Sequence, residues 1–237
     1  MMPPVLHYCN PPDARQLPGA AFSLPDDPFA AGRTTHFHDA AQGYAVGIGE
    51  DHHADLLIEN FPWVELGVVE AGELTLEGEG FSLALAPGDC FVIPRGIELR
   101  WRHQGVLRRL FMVFPGLPGS AEMPVRPLKI DRDLRLQPCN PPAAEVLLTA
   151  TPNAWSHTLF TSANLRIGVW ECEAYARRTI EPGYCELMHI IEGVVTLTPE
   201  HGAPCVVRAG ETVVVPAGAS NAWTSLEKVR KVFCILS

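Results

Sequence analysis

Trp63-Val64-Glu65 leads through to Gly72, and after a gap Gly88 leads through to Pro94-Arg95-Gly96. The same frame returns as Tyr184-Cys185-Glu186 through Gly193, then Gly210 through Pro216-Ala217-Gly218. The offset between copies is 121 from Glu65 to Glu186 and from Gly72 to Gly193. It is 122 from Gly88 to Gly210, from Pro94 to Pro216 and from Trp101 to Trp223, so one residue is inserted in a turn. Gly47 with Gly168, Glu50 with Glu171, Arg109 with Lys231 and Phe111 with Phe233 obey the same shifts, and Cys9-Asn10-Pro11-Pro12 is echoed by Cys139-Asn140-Pro141-Pro142. A period of this size is a whole small domain rather than a solenoid repeat, so the chain is expected to hold two like domains from an internal duplication.

Within each copy the apolar residues alternate over short runs. Leu74 and Leu76 are flanked by Glu73, Thr75 and Glu77, and Phe81, Leu83 and Leu85 are separated by small residues. That period of two is the mark of strands. Glu77-Gly78-Glu79-Gly80, Ala86-Pro87-Gly88-Asp89, Glu200-His201-Gly202 and Ala209-Gly210-Glu211 punctuate them as turns. Many short strands with Gly and Pro turns predict an all-β sandwich or barrel. Helical periodicity is nearly absent, with one turn expected around Ala143 to Leu148. Domains are expected at 1–120 and 121–237, joined by a linker of about 115–142 that begins Pro115-Gly116-Leu117-Pro118-Gly119-Ser120.

Composition narrows the class. The 237 residues suffice for two cores of ordinary size. No apolar run approaches the ~20 residues of a spanning helix, and Met1-Met2-Pro3-Pro4 lacks a basic then apolar leader, so neither membrane nor secretion is expected. Seven cysteines, an odd number without close-pair spacing, suit buried thiols in a reducing cytoplasm. A net charge of −9 without a Lys/Arg cluster argues against nucleic acid as partner. Apolar strand faces would serve a homodimer as well as contacts within the chain.

Glu-x6-Gly followed after a gap by Gly-x5-Pro-x-Gly resembles the two cupin motifs, and both copies carry both skeletons. The chain is therefore identified as a bicupin, which implies two tandem double-stranded β-helix (jelly-roll) barrels. Trp223 followed by Val229-Arg230-Lys231-Val232-Phe233 resembles the branch of ethanolamine-utilisation and ureidoglycine aminohydrolase-like cupins. Metal-binding cupins place two His before the motif Glu and one after Pro-x-Gly, as nitrogen ligands. Here those positions hold Ile58 or Glu59, Asn60 or Phe61, and Leu99 in the first copy. In the second they hold Thr179 or Ile180, Glu181 or Pro182, and Asn221. No cofactor is expected on this reading. The oxygen donors that remain, Glu181, Glu186 and Asn221, would suit a divalent ion such as manganese. His36, His38, His52 and His53 lie in a polar stretch upstream, and His189 differs in strand parity from Glu186 and should face away from the barrel interior.

Three features recur at matched positions: an acid (Glu65, Glu186), an indole (Trp101, Trp223) and a fixed cation (Arg109, Lys231). If the motif Glu points inward, Trp101 shares parity with Leu99, and Trp223 with Asn221. A buried carboxylate needs a partner, which the last-strand cation can supply. The set reads either as a structural ion pair under an aromatic lid or as a pocket for a small polar metabolite. His103 continues the inward parity of the first copy and would reach Glu65 in a metal-free isomerase-type site. Arg166, Arg177 and Arg178 favour an anionic ligand in the second copy, where the first has Leu56 and Leu57 for the last two. The candidate site residues are thus Glu65, Trp101, His103, Arg109, Arg177, Glu186, Asn221, Trp223 and Lys231. The leading expectation is a bicupin that binds a small molecule without the three-His centre. A ureidoglycine aminohydrolase-like metal enzyme, a metal-free isomerase and a purely architectural pair of barrels stand as alternatives.

Overall fold

The structure is a computed structural model that describes residues 3–9, 17, 19–20, 22–117 and 126–237. Among the described residues there are twenty-one strands. Those up to residue 139 are β1 (Leu6–Tyr8), β2 (Arg33–Asp39), β3 (Tyr44–Asp51), β4 (Ala54–Ile58), β5 (Val64–Ala71), β6 (Leu74–Gly78), β7 (Phe81–Leu85), β8 (Cys90–Ile93), β9 (Leu99–His103), β10 (Leu107–Phe114), β11 (Leu128–Lys129) and β12 (Gln137–Cys139). The remainder are β13 (Ala154–Ser162), β14 (Leu165–Cys172), β15 (Tyr175–Ile180), β16 (Cys185–Glu192), β17 (Val194–Pro199), β18 (Cys205–Arg208), β19 (Thr212–Val215), β20 (Asn221–Ser225) and β21 (Val229–Leu236). The turn expected near Ala143 to Leu148 is a 3-10 helix, Ala144–Val146, and another spans Ala30–Gly32. No helix among the described residues is long and apolar enough to cross a membrane.

Two compact units result, each made of a large and a small antiparallel sheet. In the first, β11-β8-β5-β10-β3-β2 accompanies β4-β9-β6-β7. In the second, β1-β19-β16-β21-β14-β13-β12 accompanies β15-β20-β17-β18. The motif turns close these sheets at matched places. Gly72 and Gly193 sit at φ +81° and +86°, and a Cβ on either would lie 2.2 Å from the Val106 carbonyl or 2.3 Å from that of Lys228. Only glycine meets both demands there, so the motif glycine is a backbone requirement of the turn.

The expected division at 120/121 is corrected at both ends. One unit is Leu17–Ile130, and the other is Asp131–Ser237 with the N-terminal segment. β1 pairs with β19 of the second unit, Leu6 opposite Val214, while β11 pairs with β8 of the first, Leu128 opposite Val92. These two registers keep the 122 offset, so each copy's lead-in strand completes the sheet of the other unit. Pairing satisfies the edge of β8 and of β19 and buries Leu6, Tyr8 and Ile130. The register also makes Asp131 the counterpart of Cys9. The Cys139 echo, offset by 130, is therefore not part of the duplication, and Asn10 to Pro12 lie outside the described residues, as does 118–125 of the expected linker.

Candidate ligand cavity in the second barrel

The second barrel encloses a cavity of about 590 Å³. Its floor is built on the last strand: β21 pairs with β14 so that Lys231 lies opposite Trp170, and with β16, which carries Glu186. The Lys231 ammonium donates to Glu186 Oε1 (2.8 Å) and to Met188 Sδ (2.9 Å). It lies 4.8 Å from the Trp170 ring centroid and 5.1 Å from that of Trp223. Tyr175 stacks on Trp223 with centroids 5.5 Å apart and planes 15° apart, and Trp170 stands edge-on to both. The result is an ion pair walled by three aromatic rings, a setting in which a cation is held by both charge and ring quadrupole.

Arg177 frames another wall. Its guanidinium donates to the Asn221 backbone carbonyl (2.6 Å) and to Asn221 Oδ1 (2.8 Å), while Asn221 Nδ2 donates to the Ala219 carbonyl (2.9 Å). Burial depresses the Arg177 guanidinium below its ordinary value, against the pull of Tyr175, Tyr184 and Glu186. Burial also pushes the phenols of Tyr175 and Tyr184 up, so both stay protonated and can donate hydrogen bonds. Asn140, Ser156, Thr158 and Arg166 add to the polar lining. Arg166, Arg177 and Lys231 thus face one carboxylate, Glu186, in a chain whose net charge is −9.

The first barrel begins from the same acid and fills the space. Glu65 is wholly buried, hydrogen-bonded to Arg33 and to Trp63 Nε1 (3.2 Å), with Arg109 Nε 3.6 Å away. Arg33 also pairs with Asp27 (3.2 Å) and Arg109 with Asp51 (3.4 Å). The Arg33 guanidinium lies 4.2 Å over Phe111, and that of Arg109 lies 4.5 Å from both Phe29 and Trp101. Burial alone would raise the Glu65 carboxyl, but Arg33 and Arg109 outweigh it and hold it below the usual range. Leu24, Phe29, Phe61, Trp63, Phe91 and Trp101 pack into one core around this group.

Of the sequence candidates, Arg177, Glu186, Asn221, Trp223 and Lys231 line the second-barrel cavity together, and Arg166 joins them. Arg178 is exposed and does not. Glu65, Trp101 and Arg109 come together in the first barrel as an ion-pair core. His103 is a correction: its Nδ1 bonds the Gly105 carbonyl (3.1 Å) and it is not among the groups enclosing Glu65, so the proton shuttle is not assembled. His36 and His38 lie on β2 and His38 stacks on Phe22 (4.3 Å), whereas His52 and His53 are exposed. His189 is buried against Thr212 Oγ1 (2.9 Å), away from the cavity lining. Trp170, Tyr175, Tyr184 and Arg33 escaped the sequence reading. Trp170 had one available signal, since it is the cross-strand neighbour of the last-strand cation.

Cupins commonly hold a transition metal, and these residues do not fit one. In the first barrel Glu65 is flanked by two guanidinium groups, which oppose a cation there, and Leu99 offers no donor. In the second, Glu181 is exposed and outside the cavity lining, Glu186 is bound to an ammonium, and both ends of the Asn221 amide are engaged. An ammonium within 3 Å of the only carboxylate of the lining opposes a divalent cation at that point.

Residues 161–233 match the family model of the EutQ-like cupin domain. The chain is similar to a protein of unknown function from Pseudomonas syringae pv. tomato, of the DUF861 family, at 32% identity and a TM-score of 0.92. The match covers 98% of this chain and 99% of that one. A cupin 2 conserved barrel domain protein from Leptotrichia buccalis matches at 12% identity and a TM-score of 0.61, covering 86% and 88%. A variant of the salicylate 1,2-dioxygenase of Pseudoaminobacter salicylatoxidans matches at 10% and 0.54, covering 82% and 71%. These last two share the fold. No curated protein matches the sequence.

Proposed function

The chain is a bicupin and belongs to the same DUF861 cupin family as its Pseudomonas syringae relative. From that premise we propose that its second barrel binds a small carboxylate-bearing metabolite with a flat or apolar portion, without a transition metal. The observation that carries this reading is the cavity itself: about 590 Å³, lined by Arg166, Arg177 and Lys231 against a single Glu186, with Trp170, Tyr175 and Trp223 as a wall. A volume of that order suits a small ligand, and the surplus of cations draws an anion into a chain that is acidic overall. The rings would pack on the apolar portion, and Glu186 would orient a hydroxyl or amine of the ligand as well as Lys231. The first barrel, filled by its own side chains, serves as scaffold. All seven cysteines are thiols, which suits a reducing, cytoplasmic setting.

The test is calorimetric titration of the full chain with a panel of small aliphatic and aromatic carboxylates, preceded by native mass spectrometry for any retained organic molecule. Lys231→Gln is expected to weaken the tightest binder on the order of 10- to 100-fold, the worth of one charge-assisted hydrogen bond, while the unfolding temperature moves little. Absence of any binder, or a Lys231→Gln variant that loses stability in step with affinity, would overturn the proposal in favour of a structural pair.

A further inference from the structure

Away from the cavity, the exchanged strand β1 is pinned to the second barrel by a side-chain cluster. His7 Nε2 lies 3.0 Å from Glu211 Oε2, and the Cys9 sulfur lies 3.9 Å from His7 Nε2 and 3.8 Å from its Nδ1. One ligating atom from each of His7, Cys9 and Glu211 falls within 4.8 Å of the others. Cys205, at the start of β18, lies outside that group of three, with Cys9 and Glu211 near enough to act on its thiol.

The internal repeat supplies the control. In the first barrel the same pin is Lys129 Nζ with Asp89 Oδ2 at 2.6 Å, and Asp89 accepts the Ala86 backbone N–H as Glu211 accepts that of Arg208. Each of these pairs is related by the 122 offset. Cys205 lies opposite Leu197 on β17 as Leu83 lies opposite Leu76 on β6, and Cys9 stands where the other copy has Asp131. An ordinary ion pair with an apolar and an acidic neighbour, Lys129, Asp89, Leu83 and Asp131, has thus become His7, Glu211, Cys205 and Cys9. All four positions carry metal-ligating chemistry in one copy only. A strand pin needs a cation and an acid, as Lys129 and Asp89 demonstrate, and does not call for two thiols.

We propose that His7, Cys9 and Glu211, joined by Cys205 after a change of rotamer, form a binding site for a tetrahedral, thiophilic divalent ion such as zinc, which clasps the N-terminal strand to the second barrel. Ligands at about 2.0–2.3 Å from zinc stand about 3.3–3.7 Å apart in a tetrahedron. The His7–Glu211 and His7–Cys9 separations of 3.0 and 3.9 Å straddle that range, and all three ligating atoms fall within 4.8 Å of one another, so these three can meet one ion by small side-chain adjustments. His7 and Glu211 side chains keep 23% and 11% exposure, which leaves a path from solvent.

The experiment uses the full chain, stripped with chelator and titrated with Co²⁺ alone, with Zn²⁺ as competitor. One equivalent should bind with a near-ultraviolet thiolate-to-cobalt band, and Zn²⁺ should bleach it. Loss of an outer-sphere partner already costs 10–100-fold, so Cys9→Ser is expected to weaken Co²⁺ binding on the order of 100-fold and to reduce the band. Glu211→Gln, which retains an acceptor for Arg208, should weaken binding with the fold intact. Zn²⁺ should shield Cys205 from alkylation in the unaltered protein. Lys231→Gln should leave all of this unchanged, which separates the site from the cavity. A wild-type protein with no such band, a band indifferent to both Cys9→Ser and Glu211→Gln, or a Cys9–Cys205 disulfide that persists under thiol reductant would overturn it.

Discussion

At matched positions the two barrels carry Arg33 and Ser156, Gly49 and Trp170, Phe61 and Pro182, Phe91 and Val213, and Leu99 and Asn221. Four of these five exchanges put the larger or more apolar group in the first barrel. The fifth, Gly49 for Trp170, makes room for a guanidinium: a Cβ on Gly49 would lie 2.9 Å from Arg109 Nη1. The same frame of acid, indole and cation is therefore compressed into a dry ion-pair core on one side and left around an open cavity on the other. A duplicated barrel keeps its turns and its inward charges, while the residues beside those charges decide whether a ligand can enter. Filling one interior frees the other to be hollow at no loss to the first core, since voids are costly where nothing occupies them.

The sharpest way to break this comparison is to make one substitution twice. Glu65→Gln removes the carboxylate that Arg33 and Arg109 share and leaves them only Asp27 and Asp51, and removing one partner from a buried ionic group costs about 3–5 kcal/mol. Glu186→Gln leaves Lys231 facing a cavity that water can enter, so about 1 kcal/mol is expected. Denaturant unfolding, followed with a probe in each barrel, reads both. Equal losses would mean that the second pair is as structural as the first.

Trp101→Ala and Trp223→Ala form the next pair. Trp101 is fully buried and touches Phe29 and Arg109, so truncation opens an apolar void and costs about 3–5 kcal/mol. Trp223 borders an existing cavity, into which the loss can relax, and about half that is expected, accompanied by weaker ligand binding. Carboxylate titration of the two variants should show affinity falling only for Trp223→Ala.

How much of this was legible in the sequence follows from the range of each interaction. The barrels were, because Glu65 with Gly72 and Glu186 with Gly193 recur at fixed spacing and the glycine is dictated by its own turn. So was the placing of Asn221, Trp223 and Lys231 on one cavity, because parity along β20 and a single offset set it without knowledge of anything distant. The strand exchange was not: Leu6–Tyr8 and Leu128–Lys129 are too short to show a period, and an edge strand's partner is set by tertiary packing. Nor was the Arg33–Glu65 pair, 32 residues apart in sequence, whose effect is to convert the first candidate pocket into a core. The cluster at His7 was hidden for the same reason, since its members are brought together only once β1 has crossed to β19.

The smallest expected effect concerns acid, and in the second barrel it turns on one residue. His189 occupies the position of Val68 in the first copy and is buried neutral, its pKa lowered to about 4 by burial and then by Arg132. An unfolded His titrates near 6.5. Below that value the unfolded chain takes up a proton that the folded barrel refuses, so stability falls as pH drops from about 6.5 towards about 4, by roughly 1 kcal/mol between about pH 7 and about pH 5.5. Glu65 has the other sign of origin: its depressed carboxyl contributes stability that is fully present above the ordinary Glu range of about 4.3 and is lost only as pH falls through and below it. Mild acid should therefore loosen the second barrel through His189, and the first through His36 and His103, whose imidazoles burial also holds below the ordinary value. His189→Val, which copies Val68, should flatten the second barrel's pH dependence over that window. Unfolding midpoints for each barrel at about pH 7 and about pH 5.5 measure this, and a variant that keeps the wild-type slope would place the acid sensitivity elsewhere.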